Sequence, residues 1–325
     1  MRSPRGARSG NRTHSSGYHH PVDPFELASG DLRDQLVAAT VAGLKTATSS
    51  LLASYEIRDE PLPGTGLHAL LDRDDRPIGV VDVESIEVRR LGDVGDDVAR
   101  AEGEGYTDAA DWRRAHETFW HDSGAVAAIQ RHRVGWELDD DALVMIETYR
   151  WRPELLGTDR LLLRPFRDDD ADAFAVINAD PAVMKHFTTG PLDRKAADSL
   201  LRRCIDRFHE HGYGLSAVER LSDGALLGFT GLNHHRWYPD EVEIGWRLAR
   251  HAWGQGYATE AATAWVRRAF GLLGLPQLIS VAVPANIPSI AVMHRLGFTY
   301  REAATYEGLD VVVHALDRPA SSSDG

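Results

Sequence analysis

Two glycines one residue apart, Gly254 and Gly256 in "HAWGQGYATEAATAWVRRAF", lead straight into a run where Ala258, Ala261, Ala262, Trp265, Val266, Ala269 and Phe270 recur at helical spacing. Glycine lacks a Cβ, so it takes positive φ and lets a ligand approach the main chain. The first turn of the helix would then aim unpaired N–H groups and the positive end of its dipole at that ligand. A phosphate suits such a place. Short glycine motifs also serve as plain connections, and spacing alone leaves both readings open.

The elements around the turn give it a setting. From about residue 152 onward the pattern predicts a strand from Leu161 to Phe166, a helix from Asp168 to Asn178 and a second helix from Asp193 to His211. Strands follow at "YGLSAVER", "LLGFTGLNHH" and "EVEIGWRLAR", then the turn and its helix, a strand "QLISVAV", a short helix "IPSIAVMHRLG" and a hairpin around Gly308. This alternation predicts a mixed α/β sheet with the glycine turn directly after a strand, where open sheets bind ligands. A break between "ALVMIETYRW" and "RLLLRPF" divides the chain into domains at 25–151 and 152–318, with disordered tails at 1–24 and 319–325.

Bulk properties narrow the classes. A chain of 325 residues is long for one domain, and 43% hydrophobic content without a long apolar run argues against a membrane partner. The first twenty residues hold four arginines, no acid and no apolar stretch, which excludes a secretory signal. Cys204 is the single cysteine, so an intramolecular disulfide and a cysteine-based metal cage are excluded, no metal is expected, and a cytoplasmic setting fits. Its helical run reads it as a core residue. Residues 21–150 carry 13 lysines and arginines against 27 acids, while 151–325 carry 19 against 22. The acidic front half is poorly suited to a phosphate backbone.

Three blocks carry a family resemblance: "RLLLRPFRDDDADAF", "EVEIGWRLARHAWGQGYATEA" and "NIPSIAVMHRLGF". Together, over Thr158 to about Asp317, they resemble the GNAT acetyltransferases, in the subgroup similar to the ribosomal-protein N-terminal acetyltransferases. The resemblance implies a GNAT fold with a mixed, splayed central sheet and acetyl-CoA as co-substrate. Its diphosphate would lie on the backbone of Trp253, Gly254, Gln255, Gly256, Tyr257 and Ala258, with His251 where the family has Gln or Arg. The backbone of Trp246, Arg247, Leu248 and Ala249 would pair with the pantetheine arm. Asn286 and Ser289 match polar positions near the thioester; by residue type they also read as an N-cap and a first-turn residue, with Pro288 between them.

An amine attacks a thioester only when neutral, so acetyl transfer to a peptide N-terminus or small amine calls for a base. Similar enzymes place an acid at the position of Glu243. Strand alternation puts Glu243 with Glu241 and Gly245, opposite Val242 and Ile244; a solvated carboxylate is the plain alternative. His234 and His235 are the other candidates. Many GNAT enzymes have a Tyr where this chain has Met293, which cannot protonate a leaving thiolate; either the thiolate leaves unaided or Ser289 assists. "FTTGPLD" at 187–193 and "HHRWYPD" at 234–240 should rim the acceptor side, with Trp237 and Tyr238 clasping the amine or covering a sheet edge.

In the front half, "GLKTATSSLLASYE", "EPLPGTG" and "AEGEGYTDAADWRRAHETFW" resemble the ASCH domain, a PUA-like β-barrel with helices, over about Leu27 to Tyr149. Similar small ASCH proteins hydrolyse the acetamide of N-acetylated cytidine with a Lys, a Thr and a Glu, which implies Lys45, Thr48 and Glu104 here. A nucleoside or RNA ligand without hydrolysis, or a scaffold, is the alternative, and "EGEG" also reads as a helix start. Trp112, His116 and Trp120 fall at helical spacing and read as core. The leading reading is an acetyl-CoA-dependent N-acetyltransferase with an appended ASCH domain. The rival is an ASCH-centred RNA- or nucleoside-binding or amidohydrolase protein with a CoA-sensing second half.

Overall fold

A computed structural model describes residues 23–319. The expected tails fall mostly outside the described residues, but Asp23 and Pro24 already belong to the first strand.

The first half comprises β1 (Asp23–Phe25), α1 (Gly30–Val41), β2 (Ala47–Leu51), α2 (Leu52–Arg58), β3 (Gly66–Leu71), β4 (Pro77–Arg90), α3 (Asp96–Glu102), α4 (Ala109–Asp122), α5 (Ala125–His132) and β5 (Leu143–Arg152). Its sheet runs β1-β3-β4-β5-β2. The 14-residue β4 carries a bulge between Val83 and Ser85, which bends it across the sheet. Alternation sorts β5 between two cores. Val144 and Ile146 pack with Ala47, Leu51, Trp112, Trp120 and Ile129 under α4 and α5, whereas Tyr149 joins Phe25, Leu36, Leu70, Val81 and Val83 under α1. Trp112, His116 and Trp120 are buried as their spacing predicts, with Trp112 stacked on His116 at 4.3 Å.

The second half continues with β6 (Leu156–Gly157), β7 (Leu161–Arg164), α6 (Ala171–Ala179), α7 (Pro181–Met184), α8 (Arg194–His211), β8 (Leu215–Arg220), β9 (Leu226–His235), β10 (Tyr238–Leu248), α9 (Tyr257–Phe270), β11 (Gln277–Ala282), α10 (Ile287–Arg295), β12 (Thr299–Tyr306) and β13 (Leu309–Asp317). The eight-stranded sheet runs β12-β13-β11-β10-β9-β8-β7-β6, and among the described residues its one parallel pair is β10 with β11. α9 buries Tyr257, Ala261, Ala262, Trp265, Ala269 and Phe270 against Leu232, Val242, Ile244 and Leu248. On the opposite face, α6 and α8 cover Ala217 and Phe229 through Phe174, Leu201 and the buried Cys204. Helix starts follow the sequence: Asp193 caps α8, its carboxylate accepting from the Ala196 amide at 2.8 Å.

The halves meet where Leu67, Ala69, Leu71 and Val80 pack with Leu155, Leu162 and Leu221, and Arg268 near the end of α9 braces the segment that joins them. Its guanidinium donates to the carbonyls of Pro153 (2.5 Å) and Leu155 (3.2 Å) and lies 5.5 Å from the ring of Trp151. Among the described residues, no helix is long and apolar enough to cross a membrane, and no cluster of side chains could hold a metal ion.

Candidate functional site

β10 pairs with β9 from end to end but meets β11 in register only where Glu243 faces Ile279. The Ser280 hydroxyl donates to the Ile244 carbonyl (3.0 Å) just past that point. From there the strands part, and Gly245, Trp246, Arg247 and Leu248 become one wall of a cleft of about 1450 Å³. The opening is a consequence of register.

The glycine turn closes one end. Gly254 has φ +72° and Gly256 φ +83°, and Gly256 stands at the N-cap of α9 with no side chain capping the helix. The amides of the first turn are therefore left to solvent or ligand. Trp253, Gly254, Gly256, Tyr257 and Ala258 line the cleft. Glu260, in the same turn, is held by Arg160 (Nε, 2.7 Å) and Thr158 (2.7 Å) and so does not fold onto those amides.

The opposite wall is α10. Asn286 is its N-cap, with its side chain accepting from the Ser289 amide at 3.4 Å. Ser289 Oγ in turn accepts from the indole Nε1 of Trp246 at 2.9 Å, which leaves the hydroxyl proton free to point elsewhere.

At the other end Glu243 stands opposite Asn233 in register, and His235 is two residues farther along the same face of β9. His235 Nε2 lies 4.0 Å from Glu243 Oε2. Burial pushes the Glu243 carboxyl up to about 8 against a hydrogen bond from the Val281 backbone. Burial, aided by Arg236 and opposed by Glu241, lowers the pKa of His235. Near neutrality the carboxyl keeps its proton, and burial holds the imidazole toward its uncharged form, with one ring nitrogen open to accept a proton. His234 points away and shares a hydrogen bond with the Tyr213 hydroxyl (3.1 Å). Trp237, stacked on Tyr306 at 4.6 Å, lines the cleft with Phe187 and Thr188.

A second cluster lies in the first half. The Lys45 ammonium is buried and donates to Glu102 Oε2 (2.7 Å) and Glu104 Oε1 (2.6 Å). Glu102 also accepts from Trp112 Nε1 (3.1 Å) and has His116 Nε2 at 3.5 Å. Burial works against its charge, yet His116 and Lys45 hold Glu102 well below the usual carboxylate range. The Glu104 side chain is 20% exposed and accepts from the Tyr106 hydroxyl at 2.8 Å, so it forms the open side of the cluster. Gly103 makes this possible: at φ +65°, a Cβ there would sit 2.0 Å from the Leu44 carbonyl oxygen.

Residues 160–299 match the acetyltransferase (GNAT) domain, and residues 25–151 match the ASCH domain. The uncharacterized N-acetyltransferase p20 of Bacillus licheniformis is 30% identical over 146 residues, covering 45% of this chain and 82% of that protein. YkkB of Bacillus subtilis is 33% identical over 149 residues, 45% of this chain and 85% of its own length. This chain belongs to the GNAT acetyltransferase family. It is an N-acetyltransferase with an N-terminal ASCH domain. FsC-acetyl coenzyme A-N(2)-transacetylase of Aspergillus fumigatus is 32% identical over 158 residues, 45% of this chain and 66% of that enzyme.

Within the GNAT half, geometry sorts the residues singled out by sequence. Glu243, Trp246, Arg247, Leu248, Trp253, Gly254, Gly256, Tyr257, Ala258, Asn286 and Ser289 all line the cleft. Ala249 does not: it is buried against Ile177 and Val183, and its amide is already bonded to the Leu227 carbonyl (2.8 Å). His251 and Gln255 also stand outside the wall, the Gln255 amide folding back onto the His251 carbonyl (2.7 Å). Met293 is 1% exposed in the core, so its side chain does not occupy the cleft, where α10 instead presents Ser289, Val292 and Arg295.

In the ASCH half, Lys45 and Glu104 come together, but Thr48 stands across from Glu147 on β5 with no hydrogen bond to the lysine. Glu102, which the family resemblance does not single out, is the more buried partner. The signal for it is "EGEG" itself, which supplies both acids at alternate positions. The segment closes α3, and the next helix starts after Asp108, whose carboxylate caps it.

Proposed function

We propose that the GNAT half transfers the acetyl group of acetyl-CoA to a primary amine, a small molecule or a peptide N-terminus. The observation that carries this reading is the parting of β10 from β11 beside Glu243, leading to the uncapped start of α9. Acetyl-CoA supplies an activated thioester. The amides of Gly256 to Ala258 would hold its diphosphate by charge-assisted bonds worth about 1.5–3 kcal/mol each. The exposed edge of β10 from Gly245 to Leu248 offers backbone partners to an extended amide chain.

Glu243 and His235 serve the acceptor. A neutral imidazole beside a protonated carboxyl can take the ammonium proton at once, and ionised Glu243 takes over as pH rises. Ser289, its oxygen occupied by Trp246, is placed to donate its proton to the departing thiolate. Most of the acceleration is assigned to proximity and orientation in the cleft. The reading is tested by release of CoA thiol from acetyl-CoA over a panel of amines and N-terminal peptides, with calorimetry of CoA binding; neither turnover nor binding would overturn it.

A second reading concerns the ASCH half, and the buried Lys45 between Glu102 and Glu104 favours it. There we propose a nucleoside pocket in which Lys45 and Glu104 meet the ligand, with Thr48 on the adjoining strand. Hydrolysis of N-acetylated cytidine, lost in Lys45→Ala, is the test.

A further inference from the structure

One cleft residue carries a charge that the transfer chemistry does not use. The Arg247 side chain lies on the same face of β10 as Glu243, under α6, and on the opposite face from α9. Its guanidinium rests 3.9 Å from the ring centroid of Phe187 and 5.0 Å from that of Phe229, and it donates to the side-chain oxygen of Asn178. Among the described residues its Nε has no partner. No carboxylate among them offsets its charge, and the neighbouring Cys204 thiol is pushed up to about 11 by burial, so it stays neutral. Burial lowers the Arg247 pKa to about 10, which leaves it cationic at neutral pH.

A half-buried arginine without a counter-charge is costly, and a planar guanidinium already held by two rings is preorganised for a carboxylate. Between Arg247 and Glu243 the floor is Gly245, where a Cβ would meet nothing within 4 Å. Four strand steps of ~3.3 Å place the two Cα atoms ~13 Å apart, with a long side chain reaching in from each end. The remaining gap suits a skeleton of a few bonds.

The charges of the wall point the same way. Its acids are Glu243 and Glu260, the latter occupied by Arg160, while its cations are Lys185, Arg247 and Arg295. A polyamine would face these cations with no free carboxylate to receive its second charge. We propose that the acceptor is a small amine bearing its own carboxylate, an amino acid or dipeptide, with its anion seated on Arg247 and its amine at Glu243 and His235. The proposal rests on the acetyl-transfer reading and names its substrate class.

The test sets glycylglycine, leucine and lysine against their own C-terminal amides, with a polyamine and a long peptide alongside, measuring CoA thiol release by wild type, Arg247→Gln and Arg247→Lys. In the wild type each acid should exceed its amide at least tenfold in kcat/KM. That ratio should fall to near one in Arg247→Gln and recover in part in Arg247→Lys. Equal rates for acid and amide in the wild type, a ratio that survives Arg247→Gln, or the polyamine or long peptide outrunning the acids would each overturn the proposal. No turnover of any acid while calorimetry still shows acetyl-CoA binding would overturn it too. Absence of acetyl-CoA binding would instead remove the acetyl-transfer reading beneath it.

Discussion

Glu243 and His235 face each other across two strands at 4.0 Å, both close to neutral at pH 7, because one fold buries the carboxyl and the imidazole together. A base must be unprotonated to act. kcat/KM should therefore climb as pH passes through about 8, the value to which burial lifts Glu243. In Glu243→Gln that limb should flatten, leaving the lower plateau due to His235. A pH–rate profile of both proteins with one amine checks this, after allowing for the titration of the amine.

The same shift affects stability. Glu243 is raised from an ordinary 4.5 to about 8, so the folded state holds this proton more tightly than the unfolded chain does. Its contribution is fully present below about pH 4.5 and is lost as pH rises through about 8, an effect on the order of a few kcal/mol. Glu243→Gln should raise the melting temperature relative to wild type at pH 9 and lose that advantage at pH 5, measured by thermal denaturation.

On the acetyl-transfer reading, Gly256 would carry the phosphate side of the site. Its φ of +83° lies in the left-handed region, where a side chain costs about 1–2 kcal/mol. A Cβ there meets only Arg160 Nη2, at 3.5 Å, so Gly256→Val can be accommodated by the fold but would stand where that reading brings the diphosphate. The Kd for acetyl-CoA, read by calorimetry, should rise at least tenfold with little change in far-UV circular dichroism.

The contrast between these residues shows what a linear chain discloses. Gly254, Gly256 and the face of Glu243 are local matters of φ and alternation, so residue type and spacing are enough to find them. The partner of Glu243 is not local: His234 and His235 are adjacent and alike, and only the register of β9 against β10 turns His235 toward the carboxyl. Ala249 departs from its expected place for a related reason, since the end of β10 is oriented by packing with distant residues such as Ile177. In the ASCH half, Glu102 and Glu104 both suit Lys45 by type, and a close approach of Gly103 to Leu44 decides how each is used.

That division of labour predicts different losses. Lys45→Met strands the charge of Glu102, whose remaining partners are Trp112 and His116, and breaking such a buried pair costs about 3–5 kcal/mol. Because the Glu102 pKa is depressed, its stabilisation is present above the ordinary carboxylate range and is lost as pH falls below it. Lys45→Met should therefore lower the urea midpoint most near pH 7 and least toward pH 3. Glu104→Gln, at the open side, should cost much less stability.

Arg268 braces the segment joining the halves from the far end of the helix that begins at the glycine turn. It is 6% exposed, and its two terminal nitrogens satisfy the carbonyls of Pro153 and Leu155. Hydrogen bonds to a charged group contribute about 1.5–3 kcal/mol each, but burial lowers the pKa of this arginine to about 10, and part of that gain is offset by desolvation. Arg268→Met keeps the packing against Trp151 while leaving both carbonyls without a donor. A net loss of about 2–3 kcal/mol should follow, seen as a lower urea midpoint with intrinsic tryptophan fluorescence as the probe. The glycine turn lies at the other end of α9, so acetyl-CoA affinity should stay within a factor of about three in calorimetry, a difference under 1 kcal/mol.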